Sequence, residues 1–168
     1  MSTSNNYEEF LADFRGTIAS ATARLRDMPE AQSRQKNSPD EWSPIEVIGH
    51  LIDSAANNHQ RFVRAQFTDD LVFPGYEQEN WVNSQKYRDE SWSEVVQLWS
   101  SYNRHLLHVA SVIPEDVLTR PRANHTLDQI AFNLIDKNEP ATLEYLIRDY
   151  LEHLRHHLNQ IFEEVTQH

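Results

Sequence analysis

Three stretches of this chain, at about residues 7–28, 92–113 and 141–165, place apolar side chains at three- and four-residue steps. That repeat belongs to an α-helix that hides one face. The first stripe is Phe10, Phe14, Ile18, Ala21 and Leu25; the second is Trp92, Val95, Trp99, Tyr102, Leu106, Val109 and Ile113. The third is Leu143, Ile147, Leu151, Leu154, Leu158, Ile161 and Val165. A fourth helix is announced by its start. Ser43-Pro44-Ile45-Glu46 offers a capping hydroxyl, proline at the first helical position and glutamate three residues after the cap, so a helix should follow over about 44–67. Ser91 and Glu94 have the same capping-box spacing.

Four long amphipathic helices predict an all-α fold, a four-helix bundle. A length of 168 residues suits one domain spanning 1–168, and only three glycines agree with a helix-rich chain. The connectors differ in character. Pro29 and AQSRQKNSPDE read as a short loop, while DDLVFPGYEQENWVNSQKYRD, with Pro74, Gly75, Tyr76, Trp81 and Tyr87, reads as a long aromatic loop between the second and third helices. The segment 115–138 fits a short helix or extended chain equally well.

Composition restricts the chemistry. With no cysteine there are no thiolate ligands, so a bound metal would be held by histidine and carboxylate. A net charge of −11 opposes the phosphate backbone of nucleic acid and an anionic membrane surface. No apolar run reaches the roughly 18 residues of a membrane span, and the polar start MSTSNNYEEF lacks the features of a signal peptide. A cytoplasmic protein is expected, with neither nucleic acid nor membrane as partner.

Histidine carries the strongest local signal. In EHLRHHLNQ, His153 and His157 are four residues apart, so both imidazoles leave one helical face and could reach one ion. At about 100° per residue they border the arc of Ile147, Leu154 and Leu158, whereas His156 lies roughly 100° beyond them. His50 is a candidate third ligand, with Asp53, Asn57, Arg61 and Arg64 following on the same polar stripe. Such a stripe is equally what a solvent-facing helix shows. His105 and His108 lie off the apolar seam of their helix, and His59, His125 and His168 lack a partner pattern.

WSPIEVIGHLIDSAANNHQRF, PGYEQENWVNSQKY and DYLEHLRHHLNQI together resemble the DinB/YfiT-like family, closest to its metal-dependent hydrolase branch. The resemblance runs from about 42 to 161 and is loosest between 118 and 149. It implies a bundle that binds one divalent ion through a histidine of the second helix and two of the last, here His50, His153 and His157.

Three imidazoles leave a coordination position open, as in catalytic zinc sites. Zn²⁺ is expected first and Ni²⁺ next, since imidazole suits both and no carboxylate excess marks a Mg²⁺ or Ca²⁺ site. Three functions follow: a hydrolase using metal-activated water, a transferase joining a low-molecular-weight thiol to an electrophile, or a non-enzymatic metal-stabilised ligand-binding bundle. In the enzymatic readings Asp53 would orient a ligand or move a proton, and Asn57, Arg61, Tyr76 and Trp81 would hold a small-molecule substrate. Similar bundles form homodimers, the expected assembly if this chain self-associates.

Overall fold

The computed structural model describes residues 3–165, with side chains over 6–163; His168 lies outside the described residues. Four long helices make the frame: α1 (Thr3–Asp27), α3 (Pro44–Arg64), α5 (Trp92–Ser111) and α8 (Leu143–Val165). Both α1 and α3 pack against α5 and α8, so α1 and α3 occupy opposite corners of the bundle. No helix among the described residues is long and apolar enough to cross a membrane.

The expected stripes meet in the middle. Phe14, Leu25, Ile48, Leu51, Phe62, Trp99, Leu106, Leu143 and Ile147 are buried together, which is why these helices are stable only as a set. Three polar groups inside this core are paired: Tyr150 Oη donates to Asn103 Oδ1 at 2.6 Å, Trp92 Nε1 to the Leu25 carbonyl at 3.0 Å, and Thr22 Oγ1 to Ser100 Oγ at 3.1 Å, whereas Trp99 Nε1 is buried without a partner.

Helix α3 starts as expected, with the Ser43 amide and hydroxyl both donating to Glu46 Oε2 at 2.8 and 2.7 Å. It ends at Arg64, three residues short of the expected boundary at 67. The second capping box does not form: Ser91 makes no side-chain cap, and its hydroxyl pairs with Ser93 Oγ at 3.0 Å.

Three connectors carry more structure than their composition signals. The first holds a single turn, α2 (Glu30–Ser33). The aromatic loop contains α4 (Gln78–Gln85) and a 3₁₀ turn at Tyr87–Asp89. Only Val82 of α4 is buried, so the helix leaves no periodic apolar stripe to read. The undecided segment resolves into α6 (Glu115–Thr119), α7 (Leu127–Ile130) and isolated bridges of Leu71 with His125 and Arg122 with Ala141. His125 is an internal strut here, its ring nitrogens bonded to the Glu139 carbonyl at 2.7 Å and the Leu127 amide at 3.1 Å.

Candidate metal centre

Much of the polar stripe of α3 faces inward: Glu46, His50, Asp53 and Arg61 are buried, with Ser54 and Asn58 beside them, His50 completely so at 0% exposure, whereas Asn57 is half-buried and Arg64 is exposed. Two coverings make this possible. Trp42 lies over the His50 ring at a centroid distance of 5.0 Å, and Tyr87 folds back on Gly49, where a Cβ would overlap its ring. The absent side chain at Gly49 therefore lets the 3₁₀ turn seal this part of α3.

His153 and His157 approach His50 from α8. Their ring centroids lie 5.2 and 4.7 Å from that of His50 and 4.7 Å from each other. Ligand atoms of the three residues all fall within 4.8 Å of one another, and no other such group of three occurs among the described residues. His156 stays out of the cluster, on the exposed rim beside Phe132.

The inner nitrogens converge while two of the three outer ones are anchored. His50 Nε2 and His153 Nε2 are 3.2 Å apart. A tetrahedral zinc centre, with Zn–N near 2.0–2.1 Å, holds adjacent nitrogens about 3.3 Å apart. On the outer side, His157 Nδ1 bonds Gln160 Oε1 at 2.8 Å, and His153 Nδ1 lies 3.4 Å from Ser54 Oγ. Partners of this kind fix the ring and its tautomer, leaving the opposite nitrogen free to bind an ion. His50 Nδ1 is buried with no partner.

Electrostatics agree with the donor geometry. Burial, reinforced by the neighbouring rings, pushes the His50 and His153 imidazoles down to about 3. Burial also lowers His157, against the Gln160 bond that raises it. Three uncharged imidazoles are what a divalent ion requires. The residues present therefore fit one such ion: His50, His153 and His157 would hold it.

Beside the histidines opens a cavity of about 310 Å³, lined by Ser54, Asn58, Arg61, Tyr76, Phe132, Asp149, His153 and His157 among others. Ala131 and Phe132 form one of its walls, fastened by Asp149, whose two oxygens accept the Phe132 and Asn133 amides at 2.7 Å each. Phe132 thereby lies 5.4 Å from the His153 ring.

Of the residues expected to bind substrate, Arg61 and Tyr76 line this cavity. Asn57 lines a neighbouring groove of about 650 Å³ that shares Arg61. Trp81 packs against Tyr76 with ring centroids 5.0 Å apart and planes tilted by 56°, at 38% exposure, outside both linings. Asp53 is likewise outside them: its Oδ1 accepts Tyr87 Oη at 2.7 Å and Gln85 Nε2 at 2.8 Å, and burial raises its carboxyl.

Ser54, Asn58 and Gln160 join the site unforeseen, although helical spacing points to them, at four and eight residues from His50 and three from His157. Asp149 and Phe132 come from a contact across 17 residues with no periodic signature.

No curated protein sequence matches this chain. Among solved structures it is similar to YfiT from Bacillus subtilis, described as a probable metal-dependent hydrolase with an unusual four-helix bundle topology. The TM-score is 0.71 at 18% identity, over 97% of this chain and 87% of the other. The DinB superfamily pattern matches residues 13–161, nearly the full frame that carries the three histidines, and the chain thus belongs to the DinB superfamily.

Proposed function

We propose that this protein is a metal-dependent enzyme of hydrolase type acting on a small molecule in the cavity beside His153 and His157. The observation that carries the reading is the convergence of three neutral imidazoles on one point at the edge of a polar cavity. A divalent ion held there, Zn²⁺ in first place and Ni²⁺ in second, supplies Lewis acidity and activates water near neutral pH. The name borne by the YfiT structure points the same way.

The chain's own residues supply placement. Ser54 and Gln160 steady two of the imidazoles. Phe132, held by Asp149, limits access of bulk water to His153, and Arg61 and Tyr76 form the substrate wall. Burial pushes the Tyr76 phenol up to about 12, so it remains a neutral hydrogen-bond donor. Asp53 acts as a positioning residue that ties α4 and the 3₁₀ turn to α3.

Turnover of an ester, amide and lactone panel by zinc- and nickel-loaded protein, beside metal-free protein and His50→Ala, tests this reading. Metal-dependent hydrolysis lost in His50→Ala supports it. Full metal loading without turnover of any member rejects it.

A thiol-transfer reading uses the same centre. It is favoured by the polar wall of Arg61, Tyr76 and Asn58, which suits the polar groups of a low-molecular-weight thiol. Thiol adducts of epoxides formed only by loaded protein and detected by mass spectrometry would select it. If His50→Ala lowers the Tm as much as chelation does and no substrate turns over or protects the cavity, the ion serves the fold alone.

A further inference from the structure

Arg61 is buried, at 6% exposure, and among the described residues no carboxylate lies within ion-pair distance of its guanidinium. Its bonds run to neutral acceptors: Nη2 donates to the Pro74 carbonyl at 3.1 Å and Nη1 to Asn58 Oδ1 at 3.5 Å. Arginine has five N–H donors, so about three remain for something else. A buried charge left without a counter-charge is destabilising, and proteins rarely tolerate it without cause.

Two internal candidates for its counter-charge are already engaged. Both Asp149 oxygens hold the amides of Phe132 and Asn133, and Tyr76 is a neutral phenol. A second buried arginine, Arg122, differs in its place in the fold. Its Nη2 bonds the Ala65 and Val117 carbonyls at 3.0 and 3.3 Å and its Nε and Nη1 are buried without a partner; Arg120, Asp69 and Asp70 make up its electrostatic surroundings, and it lines neither cavity, so its spare donors face no ligand space. Arg61 lines both.

Arg61 is also wired to the histidines. His50, Ser54, Asn58 and Arg61 follow at steps of four, four and three residues, one face of α3. Ser54 Oγ meets His153 Nδ1 at 3.4 Å, Asn58 Nδ2 donates to the Ser54 carbonyl at 3.0 Å, and Arg61 reaches Asn58. At 1.5 Å of rise per residue the Arg61 backbone lies about 16 Å along α3 from that of His50.

We infer that the substrate carries a carboxylate, several bonds away from the bond that reacts, and that Arg61 is the specificity-determining residue that pairs with it. The guanidinium fork accepts a planar carboxylate through two parallel N–H···O bonds in a site already shielded from water. The reacting bond is thereby placed at the histidine end of the cavity. The inference rests on the enzymatic reading above for the meaning of "substrate", but not for the binding itself.

The probes are the mono-methyl esters of succinate, glutarate and adipate, each beside its neutral dimethyl ester. Calorimetric titration is run on zinc-loaded protein and on a His50→Ala/His153→Ala protein that cannot hold the ion, with metal content measured separately. At least one acid should bind ten-fold or more tighter than its neutral partner in both proteins. Arg61→Gln should erase the difference, and Arg61→Lys should keep part of it. The charge-keeping variant, with circular dichroism on both, separates loss of recognition from loss of fold.

Equal binding of acid and neutral ester by the native protein overturns the inference. So does an acid preference that survives Arg61→Gln, or one that vanishes when the histidines are removed, since the ion itself would then be the anion's partner. Failure to load metal, with Arg61-dependent preference intact, instead overturns the metal-enzyme reading and leaves this one standing.

Discussion

The Nε2 atoms of His50 and His153, 103 residues apart in sequence, lie 3.2 Å from each other, with His157 completing the cluster. If this convergence is a metal centre, native protein should contain about one divalent ion per chain, and His50→Ala and His153→Ala should each become substoichiometric. His156→Ala should keep the ion, because that ring stands on the exposed rim. Elemental analysis of the four proteins decides; low metal in all four would end the assignment.

Proton release provides an independent check. Three ordinary imidazoles at pH 6 would give up about two protons on binding an ion. In this site burial holds His50 and His153 near 3 and lowers His157, so fewer than one should be released. Calorimetry at pH 6 in buffers of different ionisation enthalpy counts them, and a release of two contradicts the buried, neutral cluster.

The same depression governs acid stability of the metal-free protein. His50 and His153 refuse protons in the folded chain down to about 3, while the unfolded chain takes them up near 6.5. Below that value the unfolded state binds more protons, so stability is full above about 6.5 and falls as pH drops towards 3. Between pH 7 and 5 the Tm should decline, and His153→Gln should flatten the decline; an unchanged slope refutes the cause.

Gly49→Ala should be costly, because the added methyl would overlap the Tyr87 ring. Overpacking of about 2 kcal/mol corresponds to a Tm lower by about 4–8 °C in a chain of this size. Combined with Tyr87→Ala, which removes the ring, Gly49→Ala should cost less than it does alone in the native background. A Gly49→Ala protein as stable as the native one would show that the 3₁₀ turn does not seal α3.

Asp149→Asn keeps the shape of the side chain but presents an NH₂ to one of two amide donors. Losing one charged bond to the Phe132 or Asn133 amide should cost about 1–3 kcal/mol and loosen the segment 131–133. Faster cleavage at that segment in limited proteolysis is the expected readout, and unchanged protection speaks against the clasp.

Much of the architecture could be read along the chain. The stripes Phe10–Phe14–Ile18–Ala21–Leu25 and Leu143–Ile147–Leu151–Leu154–Leu158–Ile161 are buried as their spacing demands. Helix α4 left no trace of that kind, since only Val82 of it is buried. Its role is to bring Gln85 to Asp53.

The site divides along the same line. That His153 and His157 share a face while His156 does not is settled by 3.6 residues per turn, a local property that sequence alone determines. Whether His50 looked into solvent or into the protein was not, because a run of Glu46, His50, Asp53 and Arg61 has the polarity of an exposed stripe. Only the tertiary structure decided it: α8, Trp42 and Tyr87 close over α3, and burial then turns the same residues into neutral imidazoles and an unpaired guanidinium. Polarity is written in the chain, but the dielectric that gives it chemical meaning comes from neighbours distant in sequence.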